Sequence, residues 1–434
     1  MSASTQDKSQ VAGKPWVLIG SANGSTNLGD ECMWLAAAQT LRAHLPHAPI
    51  WTDAAPGWEP PIPNVLVLPY AFQRLRTGRA LSTLMPGRVG AFADALVSRP
   101  FRDQVARRRV RKELQDSSVL IARWREVIAN SAALVFTGAG AINDDYSVHG
   151  VYSWALLSRI ARDHEVPVLF LGQGVGPLEK RVNNEWAAKM FSSAKHVSVR
   201  ADSSRRLLLE MKVPPAVVSV EPDWALALEG DADAERQAEI LLRDLVSDER
   251  FVAFSIHRRA STSRKILRRL ARQLESAAET ARELGLRVVF IPNMTAGRYS
   301  DDRETARLVV RDWKPETRSN VAFWDYEGSP LVVKSALRRA EALFCTRYHP
   351  MVFALSEGTP AFGLSFDRYY DQKLQGISRF FDVKGNVFRF DDVSANWSEL
   401  LIRSTDYAPS PLGSDIARTV RAPFEVFIET ARTA

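Results

Sequence analysis

Short apolar segments alternate with helical patterns along most of the chain, and this alternation constrains the fold more than any other feature. The first segment, Trp16–Gly20 (WVLIG), leads through a small polar loop into an apolar helix predicted from about Asp30 to Leu45. Further strands are expected at Val65–Leu68, Ala133–Thr137, Val166–Gly172, His196–Arg200 and Val217–Val220. Strands that alternate with helices in this way predict a parallel sheet covered by helices on both faces.

A second block of alternating segments follows Glu229–Ala234 (EGDADA), an acidic, turn-prone stretch that is the predicted linker. Strands are expected at Phe251–His257, Arg287–Pro292, Val321–Trp324, Leu343–Thr346 and Ala361–Ser365. A chain of 434 residues exceeds one core of usual size. The predicted fold class is therefore α/β, with two doubly wound Rossmann-like domains. Their predicted bounds are residues 15–229 and 235–410, with a disordered leader at residues 1–14 and a C-terminal helix at residues 411–434 that packs back across the linker.

The composition favours an ordinary globular protein that binds anions. Hydrophobic residues make up 46% and charged residues 25% of the chain, and the net charge of +7 favours anionic ligands or an anionic surface. Cys32 and Cys345 both lie in apolar stretches, which argues against a disulfide framework or a cysteine zinc site. The N-terminus lacks the apolar core of a signal peptide, and no apolar run reaches the length of a membrane span. The expected location is the cytoplasm, with any membrane contact peripheral, at the inner face of the cell membrane.

Residues 71–125 are the least regular part of the first predicted domain and carry an Arg-rich run, Arg99–Leu114 (RPFRDQVARRRVRKEL). A solvated helix face is the simplest interpretation of this run. Clustered Arg and Lys side chains also attract acidic lipids, which leaves a peripheral contact with an anionic membrane open. No nucleic-acid-binding motif accompanies the charges, so nucleic acid is not an expected partner.

The segment Cys345–Met351 (CTRYHPM) carries the strongest chemical signal in the chain. An apolar strand delivers Arg347 and His349, and Pro350 is predicted at the first position of the following helix, where its missing N–H has no cost. The residue before a proline favours extended backbone, so the side chains of Arg347 and His349 are predicted to share one face. A helix N-terminus beside an arginine and an imidazole predicts a site for a small phosphate or carboxylate, with an acid next to it.

Ligands of open parallel sheets bind beyond the carboxyl ends of the strands, so the loops there hold the other candidates. In the first such loop, Asp30 is interpreted either as a helix N-cap or as a base for a sugar hydroxyl, and Asn27 lies just before it. Two glycine-rich loops follow later strands. Their glycines either let backbone N–H groups approach a ligand or form tight turns only. The glycines are Gly138 and Gly140 in one loop, and Gly174 and Gly176 in the other.

Three further basic residues lie at or beyond strand ends. Arg200 and Arg258 each follow a predicted strand, and Lys373 lies past the next one, where it could reach an anion held by Arg347. Each of them also fits a solvated surface charge. Neither nucleotide-binding glycine motif fits the chain, and no His, Asp or Glu cluster has metal-ligand spacing, so no obligatory metal is expected.

Taken in order, these segments resemble the polysaccharide pyruvyl transferase family. The resemblance rests on Asn27-Leu28-Gly29-Asp30, the Gly138/Gly140 loop, Gly172-Gln173-Gly174-Val175-Gly176-Pro177, Val199-Arg200 with Ser204, Asp223-Trp224-Ala225-Leu226, Arg347-Tyr348-His349, Phe353-Ala354, Gly358-Thr359-Pro360 and Tyr370-x-x-Lys373. It implies a fold like that of two-domain GT-B glycosyltransferases, with the active site in the cleft between the domains. Three positions depart from the family pattern. The family has an aspartate directly after the arginine, whereas here Ala201 follows Arg200 and the aspartate is Asp202. Ala139 interrupts a triple glycine, and Pro350 replaces a small residue.

The resemblance also implies an activity: transfer of pyruvate from phosphoenolpyruvate to two hydroxyls of a sugar as a cyclic ketal, in the biosynthesis of a cell-envelope or exported polysaccharide. His349 is then the general acid and Asp30 the base for the acceptor. The donor's phosphate and carboxylate are expected to bind the basic residues Arg347, Arg200, Arg258 and Lys373. Asn27 and the four loop glycines complete the expected substrate-binding set. No cofactor is implied, since phosphoenolpyruvate is a co-substrate.

Two other functions stay open at this point. A GT-B glycosyltransferase that uses a nucleotide sugar would hold a diphosphate in the same basic cleft, and a noncatalytic sugar- or anion-binding protein could retain the fold. Sugar-dependent release of phosphate from phosphoenolpyruvate separates the pyruvyl transferase from both. The sequence does not determine the acceptor, whether a sugar or a lipid-linked saccharide, and it does not determine the oligomeric state.

Overall fold

The structure of the chain is a computed structural model. It describes residues 13–20, 23–24, 27–71, 108, 115, 118–144, 147–258, 264–295, 301–365, 368–383, 386–389, 400–402, 404 and 413–433. Most of the predicted leader and most of the Arg-rich segment at residues 71–125 lie outside the described residues.

The chain divides into two compact units. The first comprises Met1–Ser25, Met33–Ala227 and Arg418–Ala434, and the second comprises Thr26–Cys32 and Leu228–Ala417. The division after Ala227 falls just before the predicted linker. The short segment at residues 26–32, expected in the first domain, groups with the second unit instead. Asn27 and Asp30 are therefore residues of the second unit.

A parallel sheet of seven strands forms the centre of the first unit, in the order β3-β2-β1-β4-β5-β6-β7. The strands are β1 (Trp16–Ile19), β2 (Ile50–Ala54), β3 (Val65–Pro69), β4 (Ala133–Phe136), β5 (Val168–Gln173), β6 (His196–Val199) and β7 (Val218–Val220). The α-helices are α1 (Leu28–His44), α2 (Ser118–Ala129), α3 (Trp154–Asp163), α4 (Arg181–Ser192) and α5 (Asp202–Glu210). A π-helix (Ser147–Ser153) precedes α3, and short 3-10 helices span Pro215–Val217 and Trp224–Ala227. Every neighbouring pair of strands is parallel, as predicted.

The centre of this sheet is apolar on both faces. All four residues of β1 and all four of β4 are buried, as expected for strands covered by helices on both sides. The strand β2 was not predicted, because Thr52 and Asp53 interrupt its apolar run. Pairing with β1 and β3 nevertheless makes it a strand.

A parallel sheet of six strands forms the centre of the second unit, in the order β10-β9-β8-β11-β12-β13. The strands are β8 (Phe251–Ser255), β9 (Arg287–Phe290), β10 (Val321–Phe323), β11 (Leu343–Cys345), β12 (Ala361–Ser365) and β13 (Val387–Arg389). The helices are α6 (Ala232–Val246), α7 (Arg264–Glu283), α8 (Asp302–Val310), α9 (Pro315–Arg318), α10 (Pro330–Arg338), α11 (Tyr348–Ser356) and α12 (Arg368–Phe380). All neighbouring strands are again parallel, so the predicted α/β class with two doubly wound sheets is confirmed.

The last helix, α13 (Gly413–Thr433), belongs to the first unit from Arg418 onward. Its Phe424 is fully buried, and the ring lies 6.1 Å from the Trp16 ring and 5.7 Å from the Trp224 ring, centroid to centroid. The C-terminal end of the chain thus contributes to the same core as its first strand.

Within the part of the chain that the structure describes, no helix combines the length and the apolar character needed to cross a membrane.

Candidate active site

The segment between β11 and α11 differs from its predicted conformation in one respect. The helix α11 begins at Tyr348, so Pro350 is its third residue and not its first. Arg347 is the extended residue that caps the helix, with φ −96° and ψ 144°. His349 lies inside the first helical turn. The prediction that Arg347 and His349 share one face of an extended segment is therefore wrong, because the helix starts two residues earlier than expected.

Arg347 is held by a buried aspartate that the sequence analysis did not single out. The guanidinium Nη2 donates to Asp302 Oδ1 at 2.6 Å, and Nε lies 3.2 and 3.1 Å from Oδ1 and Oδ2. The Asp302 side chain is 2% exposed and that of Arg347 is 13% exposed. Burial raises the pKa of the Asp302 carboxyl, and the charge and hydrogen bonds of Arg347 oppose that rise. A charge pair this buried fixes the orientation of the guanidinium.

Asp302 also holds the loop that follows β9. Its Oδ2 accepts hydrogen bonds from the backbone N–H groups of Asn293 and Met294, both at 3.0 Å. The Asn293 side chain, 3% exposed, donates from Nδ2 to Asn27 Oδ1 at 3.2 Å. The backbone carbonyl of Asn293 accepts from the N–H of Leu28 at 3.0 Å. Asp302 therefore connects the arginine to the start of α1.

Asp30 lies at that start, but it is not the helix cap. Because α1 begins at Leu28, Asp30 is the third helical residue, and Asn27 is the residue that precedes the helix. Asn27 Nδ2 donates to Asp30 Oδ2 at 2.7 Å. The interpretation of Asp30 as the N-cap is thus wrong, and the amide of Asn27 sets the orientation of its carboxylate.

The His349 ring packs on the backbone of α1 next to Asp30. A Cβ atom added at Gly29 would overlap the ring, so only glycine allows this approach. The ring also meets the Tyr348 ring edge-on at 5.2 Å, and His349 as a residue is 8% exposed. Asn27, Asp30, Arg347 and His349, four of the predicted site residues, are therefore brought together in the second unit.

A second histidine lies at the point where the strand order of the second sheet reverses, between β8 and β11. His257, 2% exposed, follows β8, and both its backbone N and its Nδ1 lie 2.8 Å from the hydroxyl of Thr346 after β11. Its ring packs against the ring of Tyr370 in α12, with the centroids 4.6 Å apart and the ring planes tilted by 43°. Arg258 follows His257 directly, and Lys373 lies in α12 one turn beyond Tyr370.

The remaining predicted residues lie in the first unit, at the carboxyl ends of β4, β5 and β6. The two glycine loops are hydrogen-bonded to each other: Gly174 N–H donates to Ala139 O at 2.7 Å, and Gly176 N–H donates to Ile142 O at 2.8 Å. These N–H groups therefore bind the protein's own backbone, and the prediction that they face a ligand does not hold for Gly174 and Gly176. Gly140 O accepts from the Asn143 side chain in the same loop, and Gly138 lies two residues after the end of β4.

Gly174 has a different role, because Arg200 lies against it. A Cβ atom at position 174 would lie 3.0 Å from both Nε and Nη2 of Arg200. Arg200 Nη1 donates to Asp223 Oδ2 at 2.6 Å, and the two side chains are 5% and 0% exposed. The aspartate that holds Arg200 is thus Asp223, and not the displaced neighbour Asp202, which begins α5.

One more buried carboxyl lies at the edge of the first sheet. Asp53, at the end of β2, is 5% exposed, and its Oδ1 accepts a hydrogen bond from Gly20 N–H at 3.1 Å. Burial raises the pKa of this carboxyl to about 8. No local sequence pattern indicates this residue, because the apolar signal of β2 is itself interrupted. Among the described residues, no group of three or more His, Cys, Asp or Glu side chains is placed to hold a metal ion.

These two parallel α/β units, with an oriented arginine at a strand end in each, define the class of the protein. The structure is similar to UDP-GlcNAc 2-epimerase from Neisseria meningitidis bound to UDP-GlcNAc, at 12% identity, covering 96% of this chain and 100% of that chain, with a TM-score of 0.52. It is also similar to the Methanocaldococcus jannaschii UDP-GlcNAc 2-epimerase, at 11% identity, 95% and 99% coverage and a TM-score of 0.51. Arabidopsis thaliana UGT89C1 complexed with UDP is similar at 9% identity, 96% and 100% coverage and a TM-score of 0.51. The chain has the GT-B fold that such glycosyltransferases and epimerases share, as expected.

The sequence narrows this class to one family. The family model for polysaccharide pyruvyl transferase matches residues 27–368, and the chain belongs to this family of transferases. The match begins at Asn27 and includes both buried arginine–aspartate pairs. No curated protein sequence is significantly similar to the chain.

Proposed function

We propose that the protein transfers the pyruvate unit of phosphoenolpyruvate to two hydroxyls of a sugar, forming a cyclic ketal and releasing phosphate. The observation that carries this proposal is the cluster in the second unit, where an aspartate-held Arg347, His349 and Asp30 lie at two helix N-termini. Family membership supports the reaction class. The proposed acceptor is a sugar or a lipid-linked saccharide of a cell-envelope or exported polysaccharide made from the cytoplasm, and no cofactor is required.

The reaction needs one proton donor, one proton acceptor and an anion site. A proton is added to the methylene carbon of phosphoenolpyruvate, and one sugar hydroxyl attacks the resulting cation while losing its proton. The C–O bond to phosphate then breaks, and a second hydroxyl closes the ring and loses its proton. Of the two hydroxyl protons, one balances the proton added to the methyl group and the other leaves with phosphate. A positioned acid contributes about 10² to 10⁴ in rate to such a step.

Arg347 is proposed to bind the donor's phosphate or carboxylate. Its contacts with Asp302 use Nε and Nη2, so the guanidinium is already oriented before an anion arrives. Preorganised arginine binds such groups more strongly because less conformational entropy is lost. Arg258 and Lys373, which lie in the same unit as Arg347, are proposed to complete the donor site, and Asp30 is proposed to accept the proton of the attacking hydroxyl. Arg200, in the first unit, stays a donor-binding residue predicted from the sequence.

His349 is proposed as the acid, and its burial sets the condition for that role. The ring lies on Gly29, and Nε2 is shielded from solvent. The proton can reach the donor only if the ring becomes accessible when the donor binds. A histidine with a purely structural role would keep its contact with Gly29 throughout.

The reaction is tested with phosphoenolpyruvate and a panel of galactosyl, mannosyl and N-acetylhexosaminyl acceptors. We expect phosphate release that depends on the acceptor, and a product whose mass exceeds that of the acceptor by one pyruvate less one water. Turnover of a nucleotide sugar without consumption of phosphoenolpyruvate would instead support a glycosyltransferase. Binding of sugar or anion with no turnover of either donor would support a noncatalytic protein.

The role of His349 is tested by His349→Ala, with exposed His164→Ala as the control. We expect His349→Ala to lower product formation by about 10² to 10⁴ while phosphoenolpyruvate binding stays within about tenfold, as measured by titration calorimetry. His164→Ala should change neither quantity. Equal loss of binding and turnover in His349→Ala would make the histidine a binding or structural residue.

A further inference from the structure

We propose that Asp302 is the positioning residue of the site. Its carboxylate holds the donor-binding Arg347 directly, and it holds the acceptor base Asp30 indirectly, through a chain of hydrogen bonds that runs over Asn293 and Asn27. This inference rests on the proposed function for its kinetic consequences, but the placement of the groups does not depend on it. Asp302 touches neither substrate in this proposal, and it acts through the residues that it holds.

The first part of the argument is the contact with Arg347. Asp302 is 2% exposed, and its two oxygens together face Nε and Nη2 of the guanidinium at 2.6 to 3.2 Å. A neutral side chain of the same size keeps the shape of this contact but removes the charge that holds the arginine. Replacing one member of a buried, hydrogen-bonded charge pair usually lowers the binding or folding free energy far more than replacing a surface charge does.

The second part is the loop after β9. The same carboxylate accepts two backbone N–H groups, from Asn293 and Met294, at 3.0 Å each. These two contacts fix the loop whose next contacts are with α1: Asn293 accepts from Leu28 N–H through its carbonyl and donates to Asn27 through its amide. The carboxylate thus determines where the start of α1 lies.

The third part is the direction of the side-chain hydrogen bonds. The amide of Asn293 donates to the Asn27 oxygen, and the amide of Asn27 donates in turn to the Asp30 carboxylate at 2.7 Å. The hydrogen bond from Asn27 holds the Asp30 carboxylate in one orientation, as a base requires. Asn293 and Asn27 are therefore arranged to present Asp30 to a hydroxyl.

Neighbouring Asp301 provides a matched control. It caps the same helix, α8, by accepting from Arg303 N–H at 2.9 Å, and its carboxylate pairs with the Arg303 side chain at 2.7 Å. Asp301→Asn therefore disturbs the start of α8 and an ion pair without touching Arg347. Asp302→Asn makes the same chemical change one residue later.

The test compares Asp302→Asn, Asn293→Ala and Asp301→Asn in the full chain. We expect Asp302→Asn to weaken phosphoenolpyruvate binding by about tenfold or more and to lower turnover further. Asn293→Ala should leave phosphoenolpyruvate binding within about twofold and lower turnover alone, because it removes only the side-chain hydrogen bond that leads through Asn27 to Asp30. Asp301→Asn should leave both quantities at the wild-type level. If Asn293→Ala and Asp302→Asn weaken phosphoenolpyruvate binding equally, Asp302 does not hold Arg347 and Asp30 through two separate sets of contacts, and the proposal is overturned.

A second measurement does not require the proposed reaction. In ¹⁵N-arginine-labelled protein, the Nε–H signal of Arg347, assigned by its loss in Arg347→Lys, should exchange slowly with solvent in the wild type and in Asp301→Asn. In Asp302→Asn we expect the signal to shift and its exchange to speed up by about tenfold or more, since the charged partner of a buried pair is removed. An unchanged signal in Asp302→Asn would overturn the positioning role. If wild-type protein binds no phosphoenolpyruvate but shows this response, the proposed function fails while the positioning role stands.

Discussion

Both units contain individual buried carboxyl groups. Asp53, Asp223 and Asp302 are 5%, 0% and 2% exposed, respectively. Asp223 and Asp302 each pair with an arginine, whereas within the described residues no cation pairs with Asp53. A buried carboxyl without a cation is more stable when it is protonated. Asp53 is therefore expected to be largely neutral at pH 7.

This difference predicts a pH-dependent stability for the first unit. The pKa of Asp53 rises from 3.8 in the unfolded chain to about 8 in the folded one, so between these values the folded protein holds a proton that the unfolded protein has lost. The contribution of this group to the free energy of unfolding is therefore fully present below about pH 4. It decreases as the pH rises toward 8, by roughly 1.4 kcal/mol per pH unit.

The variant Asp53→Asn should remove that contribution, because an amide does not titrate. We expect the free energy of unfolding of Asp53→Asn to increase relative to that of the wild type as the pH is raised from 5 to 7.5. Urea titrations at each pH measure this difference. Exposed Asp233→Asn is the control and should follow the wild type. A constant difference between Asp53→Asn and the wild type across this range would show that Asp53 is ionised throughout.

The predicted site arginines lie just beyond strand ends in both units. β6 ends at Val199, directly before Arg200, and β11 ends at Cys345, two residues before Arg347. Each arginine is then held by an aspartate from another element: Asp223 after β7, and Asp302 at the start of α8. An ion pair of this kind ties neighbouring elements together at the edge where parallel sheets bind their ligands.

The pair in the first unit predicts a large effect of a single substitution. Asp223→Ala removes the carboxylate that pairs with the buried Arg200 guanidinium and the acceptor for Ala225 N–H, so we expect a loss of about 3 to 5 kcal/mol in unfolding free energy. Asp202→Ala, which changes the exposed aspartate nearest to Arg200 in sequence, should cost about 1 kcal/mol or less. Urea unfolding of both variants decides the matter. Comparable losses would mean that Asp223 does not hold the arginine.

At the scale of the whole molecule, the two units are not two consecutive pieces of chain. The first turn of α1 groups with the second unit, and α13 from Arg418 onward groups with the first. The family match covers residues 27–368 and stops before α13. The last helix is nevertheless a structural part of the first unit, because Phe424 completes the packing around Trp16 and Trp224.

This arrangement predicts that the end of the chain stabilises its beginning. Phe424→Ala should lower the unfolding free energy by about 3 to 5 kcal/mol, since a fully buried ring is replaced by a cavity. Val426→Ala, two residues away and 66% exposed, should change it by less than about 0.5 kcal/mol. Denaturant titrations of the two variants test this. Similar small losses would show that α13 packs only weakly against the first unit.

Much of this architecture follows from local sequence. The apolar runs of β1, β4, β8 and β12 and the helical pattern between them predict two parallel α/β sheets, because burial on both faces requires apolar residues at every position. The same reasoning places Arg347 and His349 after a strand. It fails for β2 and for the three-residue edge strand β13, whose sequences carry little apolar signal and which become strands only by pairing with their neighbours.

The partners of the site residues were decided by the tertiary structure alone. Arg347 is 45 residues from Asp302, Arg200 is 23 residues from Asp223, and Asn27 is 266 residues from Asn293. Hydrogen bonds over such separations depend on which strand ends meet at the sheet edge, and no local pattern of residues encodes that. The sequence by itself thus determined the fold class, the family resemblance and the presence of a basic, histidine-containing loop. Folding determined which carboxylate holds each arginine, because a buried charge must pair with an opposite charge, and the packing of the core decides which one lies close enough.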